Sequence, residues 1–477
     1  MKQQQAQPVG FNIRMWGYLP SASPDKAPLL KPTSVFPSLS QSGWKAVCSG
    51  GCGFTLAISE SGKLYSWSST EDGQFYQFTG KHQQGCPELI CLPTESPFIY
   101  AAAGWAHCVA VTDDGEVFTW GWKDCSPNEK LTEKQSSVAF MKNVLEGNAK
   151  PAKARPTGTG LQLSGTLQKI SIHRHEAAND RLSDEVSKKR KLSVEEVSSP
   201  ESTNTGDDYN AIAPPSLVLF PQGVNIIKIA AGGRHTLALT DLGHVWGWGY
   251  GGEGQLGLGS RMCSIPSPQL IPYVESTSCL LNDGGRNSEG QTLGYVQKIP
   301  GKHIVDIACG GRHSVLLTDG GALVTFGWGL YGQCGQGSTD DELSPCYVSS
   351  LGGLQVVGVA AGLWHTLCIT NTGDVYAFGG NQFGQLGVGG DQAEMFPRLV
   401  ETSVLEEQNA ICVSAGARHS AICTEEGSVF CWGWNKYGQL GLGDIINRDI
   451  PSQVPLEERA CSVACGWWHT LSLVYAQ

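Results

Sequence analysis

The stretch Ala230-Ala231-Gly232-Gly233-Arg234-His235-Thr236-Leu237-Ala238-Leu239-Thr240-Asp241-Leu242-Gly243-His244-Val245-Trp246-Gly247-Trp248-Gly249 reads as a β-hairpin. A small-residue turn, Gly232-Gly233, precedes its first strand. In that strand Leu237 and Leu239 fall on one face at a period of two, the pattern of a half-buried strand. A turn at Asp241 to Gly243 follows, and the second strand runs from Val245 to Trp248 and ends at Gly249. Turn residues at both ends suit a tight connection.

The hairpin recurs, and internal recurrence decides the fold. Its first half begins Gly-x-x-His, ending at His107, His235, His313, His365, His419 and His469, with a degenerate copy, Gly51-Cys52-Gly53-Phe54, that has Phe in place of His. Its second half, Gly-x-apolar-x-x-aromatic, begins at Gly62, Gly115, Gly243, Gly321, Gly373 and Gly427 and carries Trp67, Trp120, Trp248, Phe326, Phe378 and Trp432. The second half expected after His469 is missing. Asn12-Ile13-Arg14-Met15-Trp16-Gly17 matches it, with Trp16 at the aromatic position. An N-terminal strand that completes the C-terminal unit closes a ring and removes free sheet edges. The reading is an all-β, seven-bladed propeller.

Composition agrees. Sixty-one Gly and 14 Trp among 477 residues suit many short strands joined by tight turns. No apolar run is long enough to span a bilayer, and the Gln-rich start has no apolar core, so the chain reads as soluble, not secreted and without a membrane partner. The 17 Cys lack CxxC spacing and read as reduced, mostly buried thiols.

Spacing locates the inserts. His107 and His235 lie 128 residues apart, whereas His313 and His365 lie 52 apart. The domain map is therefore 1–122 (closing strand 11–17, a Pro-rich loop 18–43 and two repeats), 123–223 (a long insert) and 224–477 (five repeats, with a loop insert near 275–293). The 123–223 insert is poor in aromatics and reads as disordered. It holds 14 Lys and Arg against 13 Asp and Glu, so the propeller is the acidic part of a chain of net charge −11.

Between the later repeats lie Gly254-Gln255-Leu256-Gly257, Gly332-Gln333-Cys334-Gly335, Gly384-Gln385-Leu386-Gly387 and Gly438-Gln439-Leu440-Gly441. These turns and the two half-motifs, at about 50 residues per unit, resemble the RCC1 (regulator of chromosome condensation) repeat. The resemblance covers nearly all of the chain outside the insert. It implies an RCC1-type seven-bladed propeller closed by an N-terminal strand. Stretches such as Met15-Trp16-Gly17-Tyr18-Leu19-Pro20 and Cys431-Trp432-Gly433-Trp434-Asn435-Lys436-Tyr437-Gly438 are most similar to plant nuclear RCC1-like proteins linked to chromatin and to cold and freezing tolerance.

Little in the sequence points to chemistry. The six histidines His107, His235, His313, His365, His419 and His469 sit at matched blade positions, and each reads as a structural residue that hydrogen-bonds backbone between strands of its own blade. Symmetry spreads them around the ring, so no place gathers an acid, a base and a nucleophile. No P-loop, HExxH motif or nucleophile elbow is present. The expectation is no catalytic residue, no metal and no cofactor. In the insert, Lys188-Lys189-Arg190-Lys191 reads as a nuclear-localisation cluster, which places the protein in the nucleus. Nearby Ser199-Pro200 is a candidate proline-directed phosphosite.

Three functions are compatible with these residues. The first is a non-catalytic nuclear scaffold that binds chromatin proteins such as histones and regulates gene expression in stress response. An acidic ring suits basic proteins better than DNA phosphate. The second, implied by the founding family member, is guanine-nucleotide exchange on a Ran-type GTPase. The third is ultraviolet-B perception, for which the family's plant photoreceptor uses Gly-Trp-Arg-His-Thr units. The units here, Gly232-Gly233-Arg234-His235, Gly310-Gly311-Arg312-His313 and Gly416-Ala417-Arg418-His419, lack that Trp.

Overall fold

The recurring hairpin supplies the two middle strands of a four-stranded antiparallel sheet, and seven such sheets form the ring. In the third, His235–Thr240 pairs with Val245–Gly251 in unbroken register from His235 opposite Gly249 to Leu239 opposite Val245. Gly243 turns the chain at φ +76°, and Thr240 accepts the His244 N–H through its hydroxyl. Ile226–Ala231 flanks this hairpin on the inside and Met262–Leu270 on the outside.

The computed structural model describes residues 10–20, 22–23, 25, 27–34, 43–48, 51, 53–68, 87–105, 107–122, 125, 212–272, 280–281, 295–296 and 300–476. The chain divides into two units, 1–134 with 210–477, and 135–209; the second lies outside the described residues.

Numbering blades by their inner strands gives Trp44–Cys48, Phe98–Ala103, Ile226–Ala231, Ile304–Cys309, Val356–Ala361, Ala410–Ala415 and Ala460–Cys465 for blades one to seven. These strands wall a central channel of about 670 Å³. The Gly-x-x-His turns narrow one end of it.

Ring closure follows the sequence reading. Phe11–Gly17 pairs with His469–Tyr475 without a break, from Phe11 opposite Tyr475 to Gly17 opposite His469. Trp16 is fully buried beside blade six, where a Cβ on Gly441 would come within 2.8 Å of its ring. The same contact recurs between Phe326 and Gly257, Phe378 and Gly335, and Trp432 and Gly387. In these four blades the aromatic of the second half therefore plugs into the last glycine of the preceding Gly-Gln-x-Gly turn.

Three sequence readings differ from the structure. The first strand of the hairpin is buried along its whole length, not on one face, because adjacent blades cover both sides of every sheet. The 18–43 segment is not all loop. Leu29–Thr33 forms the outer strand of blade seven, with Met15 opposite Thr33, and Pro32 is tolerated there because an edge strand has N–H positions that pair with nothing. The 123–223 span ends in the outer strand of blade two, Ile212–Val218, whose Pro214-Pro215 coincides with a register shift between Ala213 and Ser216. The rest of that span, except Cys125 and the loop before Ile226, lies outside the described residues, as does most of 275–293 apart from Leu280–Leu281 paired with Tyr295–Val296.

If Trp16 holds the closing blade to blade six, Trp16→Ala should destabilise the ring by about 3–5 kcal/mol. Urea unfolding followed by far-ultraviolet circular dichroism measures this, and an unchanged midpoint would contradict the assignment.

Candidate functional site

The blade joints are built from the histidine motif. His235 Nε2 lies 2.9 Å from Ser314 Oγ of the next blade, and that hydroxyl donates to the Gln255 carbonyl of blade three at 2.7 Å. The relay repeats as His313–Thr366–Gln333, His365–Ser420–Gln385 and His419–Thr470–Gln439, with His-to-hydroxyl distances of 2.8, 2.9 and 2.9 Å. His107 reaches Thr236 at 2.8 Å. The histidines thus bond hydroxyls of the following blade, not backbone of their own as the sequence suggested.

The chemistry of the relay fixes the ring state. A hydroxyl has one hydrogen, and in four joints it is given to the glutamine carbonyl. It must therefore accept from the imidazole, which places the proton on Nε2. Nδ1 is buried without a partner in His107, His235, His313, His365 and His419. A second proton would be a buried charge with no acceptor, and burial accordingly depresses these pKa values, to about 3 for His235, His313, His365 and His419 and about 4 for His107 and His469. The first glycine of the motif is obligatory for space. A Cβ on Gly232 would lie 2.4 Å from His235 Cε1 and 2.6 Å from the Gly310 carbonyl of the next blade.

Two joints, both at blade one, lack the relay. Phe54 replaces His, and Cys108 stands where the next blade's hydroxyl would be; both are buried in one apolar cluster. At the closure His469 Nε2 has no partner, and Thr55 donates to Cys48 in its own blade. Among the described residues no group of three or more His, Cys, Asp or Glu is placed to hold a metal ion. Burial pushes the thiols of Cys48, Cys368 and Cys465 up to about 12, which keeps them protonated.

The face that carries the Gly-x-x-His turns also carries the loops from third to outer strand, since Gly327 pairs with both His313 and Glu342. A run of aromatic side chains, half-buried except for the exposed Trp105, crosses this face. Trp105 stacks on Trp467 at 5.5 Å, Trp467 meets Trp468 at 6.4 Å, Trp468 meets Tyr437 at 5.8 Å, and Tyr437 meets Trp434 at 5.5 Å and Tyr18 at 5.8 Å. Phe383 continues it from Trp434 at 5.8 Å. A second run links Trp328, Tyr331 and Trp364, each step 5.4 Å. Arg418 joins the two, its guanidinium 5.3 Å from the Trp364 ring, 4.9 Å from Phe383 and 5.2 Å from Trp434. Arg234 lies 4.3 Å over Trp122, and Arg312 lies over Trp328 while pairing with Glu253 at 2.9 Å.

The sequence reading set Trp120, Trp248 and Trp432 at the aromatic position of their repeats, and all three are buried. It did not assemble the aromatic face. The available signal was positional: the residue before the His (Arg312, Trp364, Arg418, Trp468) meets the residue two before the preceding Gln (Glu253, Tyr331, Phe383, Tyr437) in four successive joints from blade three to blade seven. The basic cluster Lys188, Lys189, Arg190 and Lys191 lies outside the described residues.

Seven sheets closed by an N-terminal strand and stitched by a His–hydroxyl–carbonyl relay define a seven-bladed β-propeller. The model described as RCC1-like domain matches residues 199–472, and that described as regulator of chromosome condensation (RCC1) repeat matches 99–126; the chain belongs to the RCC1-like family. The ultraviolet-B receptor UVR8 of Arabidopsis thaliana is 34% identical over 267 residues, 55% of this chain and 52% of that protein. The E3 ubiquitin-protein ligase HERC2 of Mus musculus is 34% identical over 272 residues, 56% of this chain and 5% of that one. The chain thus spans about half of the first relative and a small part of the second. Among solved structures, Prp20p of Saccharomyces cerevisiae, described with its binding properties to Gsp1p and histones, superposes with a TM-score of 0.66 at 17% identity over 99% of this chain and 93% of that chain. Human WBSCR16 gives 0.63 at 19%, over 98% and 99%. Both likenesses are of fold.

The relay predicts acid sensitivity. Folded imidazoles titrate near 3–4 and unfolded ones near 6.5, so on acidification the unfolded chain takes up protons first. This contribution is complete above about pH 6.5 and is lost as the pH falls towards 4, by about 1.4 kcal/mol per pH unit for each histidine. The double variant His313→Phe with Thr366→Cys, copied from the native Phe54 and Cys108 pair, should flatten the pH dependence of unfolding free energy by one histidine's share. Chemical unfolding between pH 7 and 4 measures it, and an identical slope would refute the linkage.

Proposed function

We propose that the chain is a non-catalytic nuclear scaffold that binds basic chromatin proteins, histones first, through the face described above, and so regulates gene expression in stress response such as cold tolerance. The observation that carries this reading is the acidic arc outside the aromatic run. Asp340, Asp391 and Asp449 are exposed along it, and Glu394 starts an outer strand there. Glu342 is half-buried in the same arc, and burial, then Asp340 and Asp341, push its carboxyl pKa up. A basic side chain docking there would relieve that repulsion. The composition supports the same partner, since the negative charge of the chain resides in the propeller. DNA contacts would be secondary.

Guanine-nucleotide exchange on a Ran-type GTPase is the second reading, favoured by the likeness of fold to Prp20p, whose structure is described with binding to Gsp1p as well as histones. Ultraviolet-B perception draws on the likeness to UVR8, but Gly233, Gly311 and Ala417 occupy the Trp position of the photoreceptor units.

The purified full chain, incubated in nuclear extract, should recover core histones with a yield that falls as salt rises. The triple variant Asp340→Asn, Glu342→Gln, Asp391→Asn should lower recovery several-fold. Capture of nucleotide-free Ran that GTP releases, without histones, would replace this reading by exchange. For the basic cluster, alanine at Lys188, Lys189, Arg190 and Lys191 should shift a fluorescent fusion out of the nucleus, and unchanged nuclear signal would remove the import assignment.

A further inference from the structure

Arg312 and Arg418 hold the same place in their blades, the residue before the repeat histidine. Each reaches back across its joint to the residue two before the glutamine of the preceding turn. For Arg312 that residue is Glu253, and the two form an ion pair at 2.9 Å. For Arg418 it is Phe383. The cation is thus enclosed by three aromatic rings instead of a carboxylate. Among the described residues no acidic group comes within ion-pair distance of Arg418, and its guanidinium donates no hydrogen bond to them. Burial pulls its pKa down. In a chain with 44 Asp and Glu against 33 Lys and Arg, carboxylates are not scarce; this arginine has an aromatic residue where its neighbour has an acid.

We propose that Arg418, in its cage of Trp364, Phe383 and Trp434, is a receptor for the carboxylate of a glutamate-bearing segment of a partner protein. The guanidinium presents parallel N–H donors that match a carboxylate bidentately. The rings fix its orientation, so little side-chain freedom is lost on pairing. The apolar walls favour an acid that brings methylenes to pack on them, which selects glutamate over an inorganic anion. The cage is built from Arg418, Trp364, Phe383 and Trp434, none of which belongs to the acidic arc, so the proposal goes beyond the histone reading and does not depend on it.

The test uses the full chain and a fluorescein-labelled hexaglutamate peptide, with anisotropy read at low salt. The propeller's net negative charge works against non-specific capture of a polyanion, so retention reports the site. The expected result is binding by the wild type, with hexaglutamine left unbound. Arg418→Gln should weaken it at least about tenfold. Phe383→Glu should weaken it comparably by supplying inside the chain the acid that Glu253 gives Arg312. That second variant leaves Arg418 in place, and its thermal melt shows whether the ring is intact. Equal binding by the wild type and Phe383→Glu would overturn the proposal. So would competition by inorganic phosphate as strong as by unlabelled peptide, which marks a general anion site. A wild-type dimer that Arg418→Gln dissociates would also overturn it, by making a second copy of the chain the occupant. Histone recovery by Phe383→Glu at the wild-type level keeps this result distinct from the fate of the scaffold reading.

Discussion

One hydroxyl group at each regular joint carries the register of this ring. The seven sheets are complete hydrogen-bonded units, so no strand ladder runs from one blade to the next. Besides single backbone bonds such as Gly233 N–H to the Gly310 carbonyl at 3.1 Å, what aligns them is a Ser or Thr hydroxyl that accepts from the histidine of the blade before and donates to a glutamine carbonyl of that same blade, as Ser314 does between His235 and Gln255. The bond is buried and directional, so an axial slip of one blade would strand an imidazole and a carbonyl together, each a costly orphan. The repeat signature is largely this one contact seen from several sides. Glycine makes room for the imidazole, the glutamine side chain closes the turn that aims its carbonyl (Gln255 Oε1 accepts from Glu253 N at 2.9 Å), and the last glycine receives the next blade's aromatic.

Such a contact explains what could be read in advance. The hairpin register, the ring of seven and the closing strand 11–17 depend on local spacing and on counting, and both survive in sequence. The partner of each histidine does not, because the motif is local whereas the hydroxyl that answers it is a full repeat away, 79 residues on in the case of His235 and Ser314. Outer strands were lost for another reason. Leu29–Thr33 and Ile212–Val218 contain prolines that argue against a central strand, yet an edge and a bulge tolerate them. The aromatic face was half legible. Arg234, Arg312 and Arg418 stood out before their histidines, but only the geometry of the joint pairs Arg312 with Glu253 and Arg418 with Phe383.

Blade one shows how far the rule bends. Its Phe54 faces a partner blade with Cys108 in place of the hydroxyl, so a polar relay is exchanged for apolar packing with both members changed together. Changing one alone would leave an unpaired hydroxyl or imidazole in the core. On its other side His469 finds no hydroxyl, and that joint follows directly on the blade assembled from both chain ends. There an apolar cluster that packs Ile13, Met15, Leu471 and Leu473 of blade seven against Trp44, Ala57 and Trp67 of blade one stands where the relay stands elsewhere.

The joint also determines where this fold is free to vary. The residues that flank it on the open face, one before the histidine and one two before the glutamine, make contact with each other yet take no part in the relay. They can therefore be changed as a pair without disturbing the ring, and they are: Arg with Glu, Trp with Tyr, Arg with Phe, Trp with Tyr again. Three of these combinations are closed, with charge or rings mutually satisfied. The combination of Arg418 with Phe383 is open, and it lies inside the arc in which burial first, and the neighbouring Asp340 and Asp341 second, raise the Glu342 carboxyl pKa. Long-range field and local contact then favour different charges. On the two proposals above, the field of the propeller would draw basic surfaces towards the face at a distance, whereas the caged guanidinium would reward a single acid at close range. A partner that satisfies both must carry mixed charge in a fixed arrangement, which is a stricter requirement than net charge alone and a means of telling one basic protein from another.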